Sequence, residues 1–275
     1  MKTLPVGLQL YTVRTEMEKS VPAALKAVKV IGYDYVETAG LYGYSYADFK
    51  AELDKAGLKI VCGHITLGDI MNLDAARELV KGYKSMGAEC LALAYLGEED
   101  RYGTDRFDTV IEAMDKFGAV CEEEGIVFLY HNHDFEFVKM EDGRYCLDYM
   151  YDTIPANHLQ TELDTCWVNI GGEIPAEYIR KYADRCPVVH LKDFEGGKSD
   201  SMYELIGIDK KADTSATNTF KFRPVGTGKQ NFPAILEAAV ESGAKYVIVE
   251  QDQTYDIPCL EAAKMSREYL KSLNW

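Results

Sequence analysis

The sequence predicts a single-domain α/β fold, the (β/α)8 TIM barrel, from its length and from eight short apolar runs separated by helix-like stretches. A chain of 275 residues is long enough to bury one sizeable core. Strand and helix patterns that alternate eight times are typical of this barrel. No linker divides residues 1–275, so we expect one domain. An open, doubly wound sheet is the alternative fold.

Five of the apolar runs follow a glycine that ends a helix-like stretch. The segments are KVIGYDYVE, DKAGLKIVCGH, KSMGAECLALAY, EEEGIVFLYHNH and ESGAKYVIVE. Glycine at such a point supplies a left-handed helix cap, and the Val- and Ile-rich run after it is typical of a strand buried on both faces. Three further runs, PVGLQLY, NHLQTELDT and CPVVHLKD, complete the set. In chain order, we predict strands near residues 6–10, 34–37, 59–64, 90–94, 126–133, 159–164, 187–191 and 246–250.

The stretches between these runs have helical spacing. SVPAALKAVKVIG begins with Ser20, a candidate N-cap, and has proline in its first turn. DTVIEAMDKFGAVCEEEG repeats apolar residues at intervals of three and four, which marks one helical face. Residues 194–222 have weak periodicity and many polar side chains, so we predict a long loop after the seventh strand. Long loops in compact domains are usually functional or mobile.

The composition argues for an enzyme that acts on a small molecule. The chain has 45 acidic and 30 basic residues and a net charge of -15. Nucleic acids and anionic membranes require positive surface, so neither is an expected partner. No apolar run is long enough to span a bilayer, and the first residues lack a signal-peptide core. Seven scattered cysteines without a C-x-x-C pair predict reduced thiols and a cytoplasmic protein.

Polar residues that can bind metals close six of the predicted strands. They are Glu37, His64, His131 with His133, Asp164, His190 and Glu250. In a (β/α)8 barrel the chemistry lies at these strand ends, and His, Asp and Glu are the usual nitrogen and oxygen ligands of divalent metals. Any one of them alone is more often a hydrogen-bonded structural group. Their coincidence on neighbouring strands predicts a metal site.

Five segments in order along the chain carry a family resemblance. GYDYVETAG, YHNHDFEF, ELDTCW, VVHLKD and VIVEQD resemble the xylose-isomerase-like TIM barrels, the sugar phosphate isomerase/epimerase superfamily, and the match covers essentially the whole chain. That superfamily also contains ketohexose epimerases, inosose dehydratases and endonuclease IV. The resemblance implies a metal bound by Asp164, His190 and Glu250, which match the family's ligands on the last three strands. Family members often have E-N-H where this chain has HNH, so His131 replaces a glutamate.

The histidine at position 131 bears on the reaction. The resemblance implies that epimerases and isomerases use two metal-bound glutamates on opposite faces of the sugar. Elimination or hydration instead needs a base on one face and an acid for the leaving oxygen, which suits this chain at least as well. We expect His131 to bind the metal and His133 to meet the substrate, with the reverse assignment as the alternative.

The predicted site has one divalent metal and three groups of residues. The mixed nitrogen and oxygen ligands favour Mn, Zn or Co over Mg. The metal ligands are His131, Asp164, His190 and Glu250. The catalytic residues are Glu250, His133 and Lys192, which lies two positions after His190 and on the same side of its strand. The substrate-binding residues are Glu37, His64, Glu136 and Arg223. For Lys192 and Arg223, pairing with a nearby carboxylate is the alternative interpretation.

Our first functional hypothesis is a divalent-metal-dependent sugar isomerase or epimerase that acts through an enediolate on a keto-sugar. The alternatives are a metal-dependent keto-sugar or cyclitol dehydratase, a 3-keto-glycoside lyase or hydratase, and a non-catalytic sugar-binding barrel. A metal-free glycosidase fits the ligand pattern poorly, and the negative charge argues against a DNA-repair endonuclease. The substrate, its phosphorylation, the metal and the oligomeric state stay open. The aromatic segment LYGYSY, residues 41–46, is a candidate pocket wall or dimer contact in a homo-oligomer.

Overall fold

A computed structural model of the protein describes residues 3–198 and 220–275, which form a closed barrel of eight parallel strands with helices around it. The strands in chain order are β1 (Val6–Gln9), β2 (Tyr35–Ala39), β3 (Lys59–Ile65), β4 (Cys90–Leu93), β5 (Val127–His131), β6 (Gln160–Asp164), β7 (Val188–Leu191), β8 (Asp193–Glu195), β9 (Lys221–Arg223) and β10 (Tyr246–Val249). All except β8 and β9 belong to the barrel. Strand β1 pairs in parallel with both β2 and β10, which closes the barrel. The predicted fold class is therefore confirmed.

The helices follow the strands around the outside of the barrel. They are α1 (Arg14–Lys19), α2 (Val21–Ile31), α3 (Tyr46–Ala56), α4 (Leu67–Met71), α5 (Leu73–Met86), α6 (Phe107–Glu124), α7 (Cys146–Thr153), α8 (Thr165–Ile170), α9 (Pro175–Lys181), α10 (Phe232–Glu241) and α11 (Cys259–Ser272). Short 3-10 turns cover Leu10–Val13, Glu98–Asp100 and Phe135–Phe137. Gly57 ends α3 with a φ of 72°, the left-handed conformation that the sequence pattern predicted.

A small apolar cluster fills the inside of the barrel below the strand ends. Its buried members are Val61, Cys62, Cys90, Ala92, Leu129, Val188 and Ile248. Side chains two residues apart on a strand share a face. His131 therefore lies above Leu129, and His190 lies above Val188. The alternation that builds the core also directs these histidines into the mouth of the barrel.

The fifth strand is shorter than predicted. It ends at His131 rather than at residue 133. Beyond that point, the side-chain oxygen of Asn132 accepts a hydrogen bond from the Asp164 backbone N–H at 2.9 Å. The His133 N–H donates to Glu136 Oε2 at 2.8 Å. Side chains thus satisfy the polar groups that would otherwise extend the strand ladder.

The predicted loop over residues 194–222 differs from the structure at both ends. Strand β8 pairs antiparallel with β9, so Phe194 lies opposite Phe222. The Asp193 carboxylate holds the returning chain by accepting hydrogen bonds from the backbone N–H groups of Gly226, Gly228 and Gln230 at 2.8 to 3.1 Å. Residues 199–219 of the predicted loop lie outside the described residues.

Two properties of the chain bear on its environment. Within residues 3–198 and 220–275, we find no helix with both the length and the apolarity that a membrane crossing requires. All seven cysteines are free thiols, and six of them are buried.

Candidate active site

Four side chains predicted as metal ligands converge at the carboxyl ends of adjacent strands. We call them the mouth cluster: His131 of β5, Asp164 of β6, His190 of β7, and Glu250, which follows β10. Their ligand atoms all lie within 4.8 Å of one another, and all four residues are buried. His190 Nδ1 lies 2.9 Å from Glu250 Oε2, and His131 Nε2 lies 3.7 Å from Asp164 Oδ2.

The donor set and the fixed carboxylate of Asp164 fit a divalent metal. Asp164 Oδ1 accepts hydrogen bonds from the backbone N–H groups of Cys166 and Trp167 at 2.8 and 3.0 Å, which caps α8 and fixes the carboxylate. Its Oδ2 is buried, accepts no hydrogen bond within the described residues, and lies 3.0 Å from the ammonium group of Lys192. A fixed, buried oxygen that faces two imidazoles and a second carboxylate is a suitable ligand. Two nitrogen and two oxygen donors suit Zn, Mn or Co.

A second layer of polar side chains, the inner cluster of Glu37, His64 and Glu162, supports the mouth cluster from below. Glu162 Oε2 lies 3.0 Å from His131 Nδ1. Glu37 Oε2 lies 2.7 Å from His190 Nε2. Each predicted histidine ligand thus has a buried carboxylate on one ring nitrogen and the mouth cluster on the other. Such carboxylates fix the orientation of a metal-binding imidazole and raise its basicity.

The inner cluster has its own charge balance. His64 Nε2 lies 2.7 Å from Glu162 Oε2 and 3.3 Å from Glu37 Oε2. Burial alone would lower the pKa of His64, but these two carboxylates overcome that effect and raise the pKa to about 9. The inner residues also offer metal-ligand atoms close together, in the sets His64, His131, Glu162, His190 and Glu37, Cys62, Glu162.

Lys192 lies between three buried carboxylates. Its Nζ is 3.0 Å from Asp164 Oδ2, 2.9 Å from Glu250 Oε2 and 3.1 Å from Asp252 Oδ2. Burial would lower the pKa of Lys192, but the three carboxylates outweigh burial and raise it well above the usual value. The side chain also lines the large cavity described below. Lys192 is therefore ion-paired with carboxylates, as the alternative interpretation expected, and its catalytic role stays a prediction.

His133 presents a neutral imidazole beside the mouth cluster. Its ring stacks on Phe135 with 5.4 Å between ring centroids and lies 5.3 Å from Trp167. Burial, with the nearby charges of His131 and Lys192, holds the pKa of His133 well below the usual value. In the described part of the chain, its Nδ1 has no hydrogen-bond partner. The imidazole is therefore neutral and lines the cavity, and the same low pKa makes it a weak base in the metal-free protein.

One cavity of about 600 Å³ opens over these groups, and one of the four predicted substrate-binding residues lines it. His64 lines it, together with His131, His133, Lys192 and Glu250. Glu37, Glu136 and Arg223 do not appear among the described residues of its lining. Glu37 lies below the cavity in the inner cluster.

Glu136 and Arg223 contact other parts of the molecule. Glu136 accepts hydrogen bonds from the Tyr130 hydroxyl and the His133 N–H, and it lines a separate cavity of about 220 Å³. Burial raises the pKa of Glu136 to about 8. Arg223 forms an ion pair with Glu195 across the β8–β9 hairpin. Substrate contact by any of these residues stays a prediction.

Two buried acids were missed in the sequence. Glu162 precedes Asp164 by two positions, so the period-two pattern of a strand places both on the same face. Asp252 follows Glu250 by two positions and pairs with Lys192. The strand alternation could have identified Glu162. Asp252 lies after the strand has ended, where no regular pattern applies.

The fold and the converged ligand set define a (β/α)8 barrel with a candidate metal-dependent active site. A family model for the xylose isomerase-like TIM barrel matches residues 25–273, and the chain belongs to this family. The resemblance identified from the five segments is thereby confirmed.

Two curated relatives are inosose dehydratases. The protein of Clostridium perfringens is 28% identical over 174 residues, which cover 61% of this chain and 54% of that protein. The chain thus spans about half the length of this relative. The protein of Geobacillus kaustophilus is 24% identical over 275 residues, which cover 90% of this chain and 86% of that protein.

Solved structures share the fold over the whole chain. A sugar phosphate isomerase/epimerase from Parabacteroides distasonis has a TM-score of 0.76 at 22% identity, covering 99% of this chain and 95% of that one. The IOLI protein, described with a bound zinc atom, has a TM-score of 0.71 at 15% identity, covering 98% of each chain. These likenesses show the barrel architecture.

Proposed function

We propose that the protein is a divalent-metal-dependent lyase that eliminates an oxygen substituent β to the carbonyl of a keto-sugar or keto-cyclitol. The observation that carries the proposal is the asymmetry of the groups around the mouth cluster. An imidazole, His133, and a buried ammonium group, Lys192, line the same cavity. Elimination needs one base and one acid of different character, whereas epimerisation needs two similar groups on opposite faces.

The mouth cluster supplies the metal site in this proposal. A divalent ion held by His131, Asp164, His190 and Glu250 would polarise the substrate carbonyl and stabilise negative charge on its oxygen. The zinc atom described in the IOLI protein, which has the same fold, supports the proposal of a bound metal. The inner carboxylates Glu37 and Glu162 hold the two histidine ligands in orientation.

The chain's own groups then move the protons. The imidazole of His133 accepts the proton from the carbon next to the carbonyl. Lys192 Nζ donates a proton to the departing β-oxygen, so that it leaves as water or as an alcohol. Glu250 is a weaker candidate for the base because its Oε2 is already engaged by His190 Nδ1 and Lys192 Nζ, both at 2.9 Å. The names of the inosose dehydratases support an elimination.

Epimerisation or isomerisation through an enediolate is the second candidate. Glu250, a carboxylate at the floor of the cavity, favours it, as does the sugar phosphate isomerase/epimerase name carried by a protein of the same fold. Both reactions begin with removal of the proton next to the carbonyl. They differ in whether that proton returns to carbon or the β-oxygen leaves.

The proposal is tested by following ultraviolet absorbance of an enone. The metal-loaded protein is mixed with a keto-cyclitol, 2-keto-myo-inositol, and separately with methyl 3-keto-β-glucoside. We expect at least one of them to give an enone, activity to disappear with a chelator, and activity to return with Mn or Zn. Tight binding with no turnover would favour a sugar-binding barrel, and turnover insensitive to chelator would contradict the metal-dependent mechanism.

A further inference from the structure

The cavity over the mouth cluster has a second, apolar region that the proposed chemistry does not use. We call it the aromatic wall and define it by Leu41, Tyr46, Ile65, Leu79 and Tyr83, which line the same cavity as Lys192 and Glu250. The wall is formed by β3, α3, α5 and the β2–α3 loop. Two of its members, Leu41 and Tyr46, come from the LYGYSY segment.

The tyrosines of the wall are seated against glycines. A Cβ atom at Gly63 would lie 2.2 Å from Tyr83 Cε1, and a Cβ atom at Gly82 would lie 2.2 Å from Tyr46 Cε2. The two rings pack edge to face with 5.6 Å between centroids. Both glycines leave space that the rings fill. The wall is therefore a built, preorganised surface rather than a chance exposure of aromatic side chains.

The size of the cavity exceeds what the proposed chemistry requires. A volume of about 600 Å³ lies within the range of sites that enclose drug-sized ligands, roughly 300–1,000 Å³. Proton transfer and metal ligation use the polar floor of the cavity, where His131, His133, Lys192 and Glu250 lie. A free keto-cyclitol on that floor would leave the apolar surface of Tyr46 and Leu79 uncovered.

Two polar side chains beside the wall, Thr66 and Asp69, are engaged with each other. Asp69 Oδ2 accepts hydrogen bonds from both the backbone N–H and the hydroxyl of Thr66 at 2.7 Å, in a capping box at the start of α4. This pairing leaves those groups less available to the hydroxyls of a second sugar. An apolar, flat substituent instead matches the surface of Tyr46, Leu79 and Tyr83.

From this arrangement we infer that the substrate is a keto-glycoside with an aromatic aglycone, whose keto-sugar lies on the mouth cluster and whose aglycone lies on the aromatic wall. The inference rests on the proposed elimination. In that reaction the C–H bond next to the carbonyl breaks and its proton goes to the base. A carbon–carbon double bond forms, the C–O bond to the aglycone breaks, and the aglycone oxygen takes one proton and leaves as a phenol. No oxidant or reductant is consumed.

The test compares p-nitrophenyl 3-keto-β-glucoside with methyl 3-keto-β-glucoside on the metal-loaded protein. Covering an aromatic ring with apolar surface predicts a kcat/KM roughly 30-fold higher for the aryl compound. Because nitrophenolate is also a better leaving group, the decisive readout is the aryl-to-methyl ratio in variants. Tyr46→Ala and Leu79→Ala each lower it about tenfold, mainly through KM for the aryl compound. Leu73→Ala, on the exposed side of α5, leaves the ratio unchanged.

Two outcomes overturn the inference, and a third overturns the proposed elimination on which it rests. An aryl-to-methyl ratio that survives both wall variants, with their folding verified by thermal unfolding, contradicts an aglycone on the wall. A keto-disaccharide turned over faster than the aryl compound contradicts an aromatic aglycone and assigns the wall to a second sugar. If neither keto-glucoside nor keto-cyclitol is turned over, the proposed elimination itself fails.

Discussion

Glu162 Oε2 lies 3.0 Å from His131 Nδ1, so a buried carboxylate that the sequence analysis overlooked orients a predicted metal ligand. The contact leaves Nε2 as the nitrogen that faces Asp164 and Glu250. The same carboxylate oxygen lies 2.7 Å from His64 Nε2. Glu162 therefore contacts both His64 of the inner cluster and His131 of the mouth cluster.

Replacing this carboxylate should weaken metal binding without abolishing it. Glu162→Gln keeps the shape of the side chain but removes the charge that orients and polarises His131. We expect the metal dissociation constant to rise by roughly 10- to 100-fold, the usual effect of losing such a partner. Titration with Zn or Mn measures it. Asp115→Asn, which removes a carboxylate 2.6 Å from His158 Nδ1 outside the site, is the matched control and should change nothing.

Removing the charge of Asp164 should eliminate stoichiometric metal. Asn is also a good helix N-cap, so Asp164→Asn preserves the bonds to Cys166 and Trp167 while neutralising the oxygen that faces the mouth cluster. We expect metal analysis of the purified variant to give less than a tenth of the wild-type content, with α8 intact. Full metal content in this variant would place the metal elsewhere.

The ammonium group of Lys192 should oppose metal binding while it supports the fold without metal. It contacts Asp164, Glu250 and Asp252 within 3.1 Å. Lys192→Met removes the ammonium partner shared by these buried carboxylates, so we expect a loss of about 3–5 kcal/mol in the free energy of unfolding of the metal-free protein. Metal should bind more tightly and restore much of that loss, while turnover disappears. Unfolding with and without metal tests this, with the surface residue Lys181→Met as control.

Glu136 should make stability depend on pH. Its pKa is about 8 in the folded protein against an ordinary value of 4.5, so between pH 4.5 and pH 8 the folded state holds a proton that the unfolded chain loses. The contribution to stability is complete below pH 4.5, falls by up to about 1.4 kcal/mol per pH unit, and is lost as the pH rises through about 8. Glu136→Gln removes this dependence. Denaturant unfolding at pH 5 and pH 8 measures the free energy of unfolding of both proteins. We expect the variant to gain stability relative to the wild type as the pH rises. An equal loss of stability in the two proteins between these pH values would refute the pKa shift of Glu136.

Arg223 should contribute little to substrate binding. The sequence predicted Arg223 as a substrate-binding residue, whereas its guanidinium pairs with Glu195 across the hairpin. We expect Arg223→Met to change KM less than twofold for the uncharged keto-sugar and to cost less than about 1 kcal/mol of stability, as for other exposed ion pairs. A tenfold rise in KM, most of all with a phosphorylated substrate, would restore the original assignment.

The barrel and the mouth cluster could be predicted because both follow from regular alternation. The period of two that directs Leu129 and Val188 into the core also directs His131 and His190 into the barrel mouth. The strand ends then bring residues together that are up to 119 positions apart in sequence, from His131 to Glu250. Bringing these distant residues together requires only that the barrel closes.

The remaining parts of the site depend on contacts that no local pattern encodes. Glu136 was predicted to bind the substrate, and its burial against the Tyr130 hydroxyl in the short turn at Phe135–Phe137 could not be foreseen from the sequence. The partner of Arg223 is set by the register of the β8–β9 hairpin. The aromatic wall requires the fit of Tyr46 against Gly82, two residues on different helices. Side-chain packing between distant elements decides each of these.

The most direct test of the account is proton NMR of the metal-loaded protein with methyl 3-keto-β-glucoside and 2-keto-myo-inositol in heavy water. An elimination predicts loss of the β-oxygen substituent, release of methanol or water, and growth of an enone. It also predicts that Asp164→Asn abolishes the reaction. Replacement of one carbon-bound proton by deuterium, with the sugar's formula unchanged and no enone, would contradict the elimination and identify an epimerase or isomerase.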